Sequence, residues 1–374
     1  MKQLALTGSS IMVTASMAIA HPGHKAISPS NHPLRHRIDS THAVVITFLF
    51  LACGGCTATH RARAAAPHRN TEMASTSTHQ IIPATFTGAP RYRACSQVGQ
   101  TMPPLPGSGY IDLKHVNGDT VVTRLRADNP LKLLVPRQRQ RAAWVIASCF
   151  GGGLVAGDTL TVNIRLGNGA VAYFGTQAST KVYRSTRNTP CRQNMRMTIG
   201  DGALAVIAPD PVTCFANAVY EQRQRFDLHG NSGLVLIDWL TAGRVARGER
   251  WAFNRYYCRN DVYVNEKHAL ADAMLLDTNH GPIAVLHRVG PYDCFAMLAM
   301  IGQKVADMAE RLASHIDTQP VERHSPMVVA ASRFKSGVLV RVAGRTTSQV
   351  NAFLHEQLQP LTNALGDDPW ARKW

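Results

Sequence analysis

Three carboxylates in this sequence stand where they can do metal chemistry, each close to a glycine or proline turn. Asp158 ends Gly151-Gly152-Gly153-Leu154-Val155-Ala156-Gly157-Asp158, Asp210 sits in Pro209-Asp210-Pro211, and Glu249 closes Arg247-Gly248-Glu249. Carboxylate oxygens are hard ligands that can hand on a divalent cation. Around them the run Thr176-Gln177-Ala178-Ser179-Thr180-Lys181-Val182-Tyr183-Arg184 and the pair Gly243-Arg244 add hydroxyl, amide, phenol and cationic groups. Composition alone favours turns and strand ends with satisfied side chains at all these places. Two of the carboxylates could also serve as the acid and base of a β-helical hydrolase or lyase, if their environments separated their pKa values.

Other signatures are missing. The chain has no G-x-S-x-G, no H-E-x-x-H and no G-x-x-x-x-G-K-[ST]. The glycine-rich run 151–157 lacks the phosphate-loop lysine and leads into a period-two strand, so no helix N-terminus is there to hold an anion. Cys53-Gly54-Gly55-Cys56 has metal-ligand spacing, and His21, His24, His32, His36 and His42 form a loose tract beside it. A structural zinc site needs four ligands, and no second C-x-x-C exists to complete one. Incidental thiols and a histidine-bearing tail are the simpler reading, although imidazole suits nickel.

The elements that must position the carboxylates are short and alternating. Leu160, Val162, Ile164 and Leu166 alternate with polar neighbours, Gly167-Asn168-Gly169 turns, and Val171 to Phe174 resumes. Met195, Met197 and Ile199 turn at Gly200-Asp201-Gly202 into Leu204 to Ile207. A looser copy runs from Phe226 through Gly230-Asn231-Ser232-Gly233 to Ile237, and a fourth is expected from Met274 through 279–282 to Leu286. Alternation broken by Gly/Asn/Asp turns is the hairpin pattern. Its recurrence predicts stacked β layers, each burying its face on the next. Helical spacing is confined to 295–316 and 348–361, and a strand pair is expected near 327–331 and 338–342. The fold class that follows is mostly β, with stacked β-helix-like layers of short strands and two α-helices near the C-terminal part.

With 374 residues the chain can bury a full core, and 45% hydrophobic content excludes wholesale disorder. No uninterrupted apolar run is long enough for a membrane span. Eight cysteines are too few for a stapled scaffold, so reduced thiols are expected. The 40 Lys+Arg outnumber the 24 Asp+Glu, a formal charge of +16. The basic residues are scattered, Arg137, Arg139 and Arg141 apart, and no nucleic-acid module accompanies them. A basic surface suited to an acidic protein partner is the preferred reading.

Residues 1–90 differ from the rest, with eight of the 16 His and only Asp39 and Glu72 as acids. Met1–Ala20 has the outline of a secretory signal, interrupted at Thr7-Gly8-Ser9-Ser10, and would support a secreted adhesin if real. A transit peptide, a disordered extension or a translated upstream region fits as well. The division drawn is therefore an extension at 1–90 and one β domain at 91–374.

Longer motifs say more than spacing does. GGGLVAGDTL (151–160), TQASTKVYRS (176–185), APDPVTCF (208–215) and DWLTAGRVARGERWAF (238–253) closely resemble the signatures of the urease accessory protein D family, called H in some bacteria. NPLKLLVP (129–136) and GPYDCFAMLAMIG (290–302) extend the resemblance over roughly residues 92–360, and the wording looks nearer to fungal or plant members. The resemblance implies a non-enzymatic protein that works in the cytoplasm with accessory proteins F and G, G being a GTPase. It implies docking on the urease apoprotein and help in inserting nickel, with no tightly bound cofactor and only transient nickel. Carried over by motif, Asp158, Thr176, Gln177, Lys181, Tyr183, Asp210, Arg244 and Glu249 are the expected partner or channel residues. Asp158, Asp210 and Glu249 are expected to pass the metal. Lys181 and Arg244 are expected to hold the strand-end network or the partner face. The residues Val206-Ile207-Ala208 before Pro209 lack the acid found in many bacterial relatives, so one possible channel carboxylate is absent.

Overall fold

The computed structural model describes residues 44–46, 105–136, 141–279, 281–320, 322, 325–368 and 370. The cysteine pair at 53 and 56 and the His tract lie outside them. In strand Thr159–Leu166 the residues Leu160, Val162, Ile164 and Leu166 are buried while their neighbours face outward, as alternation requires. After the turn at 167–169 the chain continues as Val171–Thr176 in a different sheet. Thr159–Leu166 pairs in parallel with Ser108–Val116 and Cys191–Ile199. Val171–Thr176 pairs in parallel with Ala143–Cys149 and Leu204–Ile207. One repeat is thus one coil of a β-solenoid, and the next coil stacks on it.

The expected hairpins at the first three glycine turns are therefore arches between two sheets. Alternation cannot distinguish the two, because both reverse the chain across a glycine turn. The side chains at the corners make the difference. Asn168 Oδ1 accepts from the Asp201 N–H (3.1 Å), Asp201 Oδ1 accepts from the Asn231 N–H (2.6 Å), and Asn265 Oδ1 accepts from the Gly230 N–H (2.7 Å). Each corner is tied to the corner of the next coil, so turn donors are satisfied between layers. True hairpins lie elsewhere. Ser108–Val116 pairs antiparallel with Asp119–Ala127 at one end of the solenoid, and Arg255–Val264 with Lys267–Asp277 at the other.

The first sheet has eight strands, closed at one edge by Asp119–Ala127 and at the other by Val44–Ile46 beside Lys267–Asp277. The second has ten, and its central strands Gly233–Thr241 and Cys294–Ile301 are buried along their whole length. One apolar core fills the space between the sheets. A second lies on the far side of the ten-stranded sheet, under the helices Ala306–Asp317 and Thr347–Leu358. Leu312, Ala313 and Ile316 from the former and Val350, Leu354 and Leu358 from the latter supply that cover. Thr346 and Gln349 close a capping box at the start of the second helix.

Two expectations are corrected here. The helical spacing seen over 295–316 spans a strand and a helix: Cys294–Ile301 is fully buried β, Gly302 breaks it at φ +98°, and the helix starts at Ala306. A continuous apolar run buried on both faces carries no period that separates strand from helix. The fourth expected repeat also fails, because Met274–Leu276 ends the long strand Lys267–Asp277 and the chain then enters a one-turn helix, Leu286–Val289. The late strand pair is present as Met327–Phe334 and Gly337–Gly344. The five described cysteines are free thiols. No helix among the described residues is long and apolar enough to cross a membrane.

Candidate functional site

A narrow third face joins the ends of the coils and carries most of the expected site. Thr180–Val182 and Val212–Cys214 pair in parallel, and Leu154 bridges to Val182. Gly153 is what allows this approach. A Cβ there would lie 2.7 Å from the Lys181 carbonyl oxygen and 2.7 Å from Tyr183 Cε2. Gly153→Ala should therefore cost about 1–3 kcal/mol, the scale of overpacking a fitted site. Equilibrium urea unfolding checks it, and a change below the error of that measurement would show that the loop yields freely.

Four side chains form one connected group on this face. The Tyr183 ring meets Phe215 edge-on at 5.3 Å, and the Arg244 guanidinium lies 4.0 Å over the same Phe215 ring. Arg244 Nε donates to Glu249 Oε2 at 2.8 Å, and its Nη2 donates to Oε1. The Ala216 N–H donates to Glu249 Oε2 at 3.1 Å. The hydrogen bonds from Arg244, with that from the Ala216 N–H, hold the Glu249 carboxyl below the usual carboxylate range. Arg244 and Glu249 thus clamp the loop after Gly233–Thr241 onto the third face. Asp158 closes its own turn, its Oδ2 accepting from the Val155 N–H at 2.9 Å. Gln177 and Lys181 are exposed, and their backbones bond to neighbouring coils through Ala147 and Leu154.

Thr176 and Asp210 come together as a separate pair. Thr176 Oγ1 donates to Asp210 Oδ2 at 2.9 Å and accepts from the Asp210 N–H at 2.7 Å. Both are half-buried and border a cavity of about 110 Å³ that lies between the two sheets. Its wall is mostly aliphatic, but Gln193, Gln222, Gln224 and Asp238 enter it. That volume and those polar groups suit several water molecules.

Asp238 is the functional candidate that motif reading passed over. Its Oδ2 accepts from Gln222 Nε2 (2.9 Å), Asn260 Nδ2 (3.1 Å) and Cys258 Sγ (2.6 Å). Burial pushes its carboxyl pKa up, against the pull of the hydrogen bonds from Cys258 and Asn260. Burial likewise raises the Cys258 thiol, reinforced by the Asp238 charge beside it. The polar layer continues inward. Gln224 Nε2 donates to Asn260 Oδ1 at 3.0 Å, and Arg341 Nη2 donates to Asp272 Oδ1. A signal was present in the sequence: Asp238 is the one ionisable residue in the nine-residue strand GLVLIDWLT. Among the described residues no group of three or more His, Cys, Asp and Glu side chains gathers around one point that could hold a metal ion. The polar groups that line the cavity are Thr176, Thr180, Gln193, Asn194, Asp210, Gln222, Gln224 and Asp238.

Residues 106–374 match the sequence profile of the family described as UreD urease accessory protein. Urease accessory protein UreD of Sorangium cellulosum is 45% identical over 269 residues, covering 72% of this chain and 84% of the relative. Urease accessory protein D of Arabidopsis thaliana is 33% identical, covering 71% and 99%. Urease accessory protein 4 of Cryptococcus neoformans is 26% identical, covering 72% and 95%. The bacterial relative exceeds these plant and fungal ones in identity, which reverses the impression given by the wording of the motifs. The match starts at 106 and ends at 374, against the bounds of roughly 92 and 360 read from the motifs. On a profile match over more than half its length, and on relatives 45% and 33% identical that are covered to 84% and 99%, the chain belongs to the UreD urease accessory protein family.

Proposed function

We propose that this protein is a non-catalytic, cytoplasmic scaffold that docks on the urease apoprotein together with accessory proteins F and G and assists nickel insertion. The observation that carries the reading is the polar cavity inside an otherwise apolar solenoid, bordered by Asp210 and reaching Asp238. An apolar core gains nothing from carboxylates and amides placed between its sheets, and burying them costs free energy unless they are paired. A passage for a hydrated cation explains their presence. Nickel is cargo here: it meets oxygen groups in sequence, and ligands spread along a path release what they accept.

In this reading Thr176 and Asp210 receive the ion, and Asp238 with Gln222 and Asn260 passes it on. Glu249 and Asp158, whose oxygens accept from Arg244, Ala216 and Val155, keep the third face in shape beside the entry. Tyr183, Gln177 and Lys181 lie on the same side and suit a partner face. Co-expression of the full chain with accessory proteins F and G and the urease apoprotein tests this. A stoichiometric complex that activates urease with nickel and GTP is expected. A folded protein that binds neither F nor the apoprotein would overturn the proposal and direct attention to a substrate for the carboxylates.

A further inference from the structure

The outward face of the eight-stranded sheet carries an arrangement of charge that the fold does not require. Its four adjacent parallel strands are Thr159–Leu166, Cys191–Ile199, Val219–Leu228 and Arg255–Val264. Together they hold seven arginines and three carboxylates, Glu221, Asp227 and Asp261. Parallel register sets Arg196 directly beside Arg225, and Arg223 directly beside Arg259. Neighbouring strands are about 4.8 Å apart, and like charges directly opposite destabilise a sheet. The carboxylates are shared: Asp227 serves Arg196 and Arg225, and Glu221 serves Arg192 and Arg255. The surplus is cationic and faces solvent.

The guanidinium groups are also held in place. Arg225 lies 4.0 Å over the Tyr263 ring and Arg223 5.6 Å over the Tyr257 ring. Stacking fixes a planar fork before any ligand arrives and reduces the entropy lost on binding.

We infer that this arginine face docks a carboxylate-rich surface of the urease apoprotein, an inference that rests on the scaffold reading above. Planar guanidinium groups on a flat sheet match carboxylates two by two. A nucleic acid fits less well, because the tyrosine faces are already covered by arginine and the three interspersed carboxylates repel phosphates. A membrane surface selects flexible lysines and apolar anchors, and these four strands contain no lysine.

The test uses the full chain with Arg196→Gln and Arg223→Gln together, and measures association with purified urease apoprotein across salt concentrations. The expected result is an association rate lowered at least about tenfold at low salt, with the difference shrinking as salt rises. The melting temperature should be unchanged or higher, since two like-charge contacts have been relieved. Lysine at both positions keeps the charge and should restore most of the association rate, while the lost stacking and two-by-two pairing should make the complex dissociate faster than wild type. Equal binding by the wild type and the glutamine variant overturns the docking face and leaves the scaffold reading standing. An association rate for the lysine variant as low as for the glutamine one overturns it too. A wild type that binds no apoprotein overturns the scaffold reading first. Tighter binding of duplex DNA or phosphatidylserine vesicles than of apoprotein, abolished by the glutamines, assigns the face to a phosphate ligand and overturns the choice made here.

Discussion

Arg341→Met should destabilise the protein by about 3–5 kcal/mol, the scale on which removing one partner of a buried ion pair is felt. Arg341 and Asp272 are 8% and 5% exposed, and they face each other from opposite sheets across the interior. With the guanidinium gone, Asp272 must stay charged without its cation or take up a proton. Burial already raises its pKa, and Arg341, with a smaller contribution from an Asn260 hydrogen bond, pulls it back. A raised carboxyl pKa contributes stability below the unfolded value of about 3.9 and loses it as pH rises through the folded value. The variant raises that pKa further, so its deficit should be smallest in acid and grow toward neutral pH. Replacing Asp272 by Leu as well should restore stability to near wild type or above it, because an apolar pair incurs no desolvation of charge. Urea unfolding at several pH values measures all of this. A single-variant loss under about 1 kcal/mol would show that the pair is solvated in the native state.

The second large effect is expected on function. Asp238→Asn keeps the shape of the side chain and its contact with Cys258 and Gln222, but removes the anion facing the cavity. Urease activation at limiting nickel should fall by at least about tenfold, the range in which loss of a metal-path oxygen or its hydrogen-bonding neighbour is felt. Folding should survive. Because burial raises the Asp238 pKa, its ionisation weakens the native state as pH rises, so the stability of wild type relative to the variant should be greatest in acid and decline above it. Normal activation at limiting nickel by a folded Asp238→Asn protein would take Asp238 off the route.

Much of this fold is legible in the sequence. Alternation in 160–166 and 195–199, with glycine turns after each, identified the stacked layers, because inward and outward faces differ in polarity along every such strand. The motifs then led to Thr176 and Asp210, which the fold brings into contact across 34 residues of chain. What stayed hidden was long-range. Asp238, Cys258 with Asn260, Asp272 and Arg341 come from four strands, and Asp238, Asp272 and Arg341 are each a single polar residue amid apolar neighbours. Nothing local links the four positions, since only the pairing of neighbouring strands and the facing of the two sheets sets them in one layer. Glu249 was legible as a carboxylate beside a glycine, but its engagement by Arg244 and the Ala216 N–H depends on a third face that the sequence shows as loops.

The antiparallel hairpins at the two ends of the solenoid bear on how the protein behaves among copies of itself. A stack of parallel coils is open-ended by construction, and a further coil from another molecule can add to either end and continue into a fibre. Here Asp119–Ala127 and Lys267–Asp277 fold back over the terminal coils, and register shifts at Asp112/Leu113 and Val262/Tyr263 bend the strands they cover. The hairpin over the first end also presents Arg124 and Arg126 to solvent. A second molecule approaching the first end with its own first end meets a bent edge and like charge, and at the other end the edge of Lys267–Asp277 is already taken by Val44–Ile46. Coil-on-coil growth is disfavoured at both ends, which leaves the long sides of the solenoid as the better surfaces through which to enter an assembly of defined size.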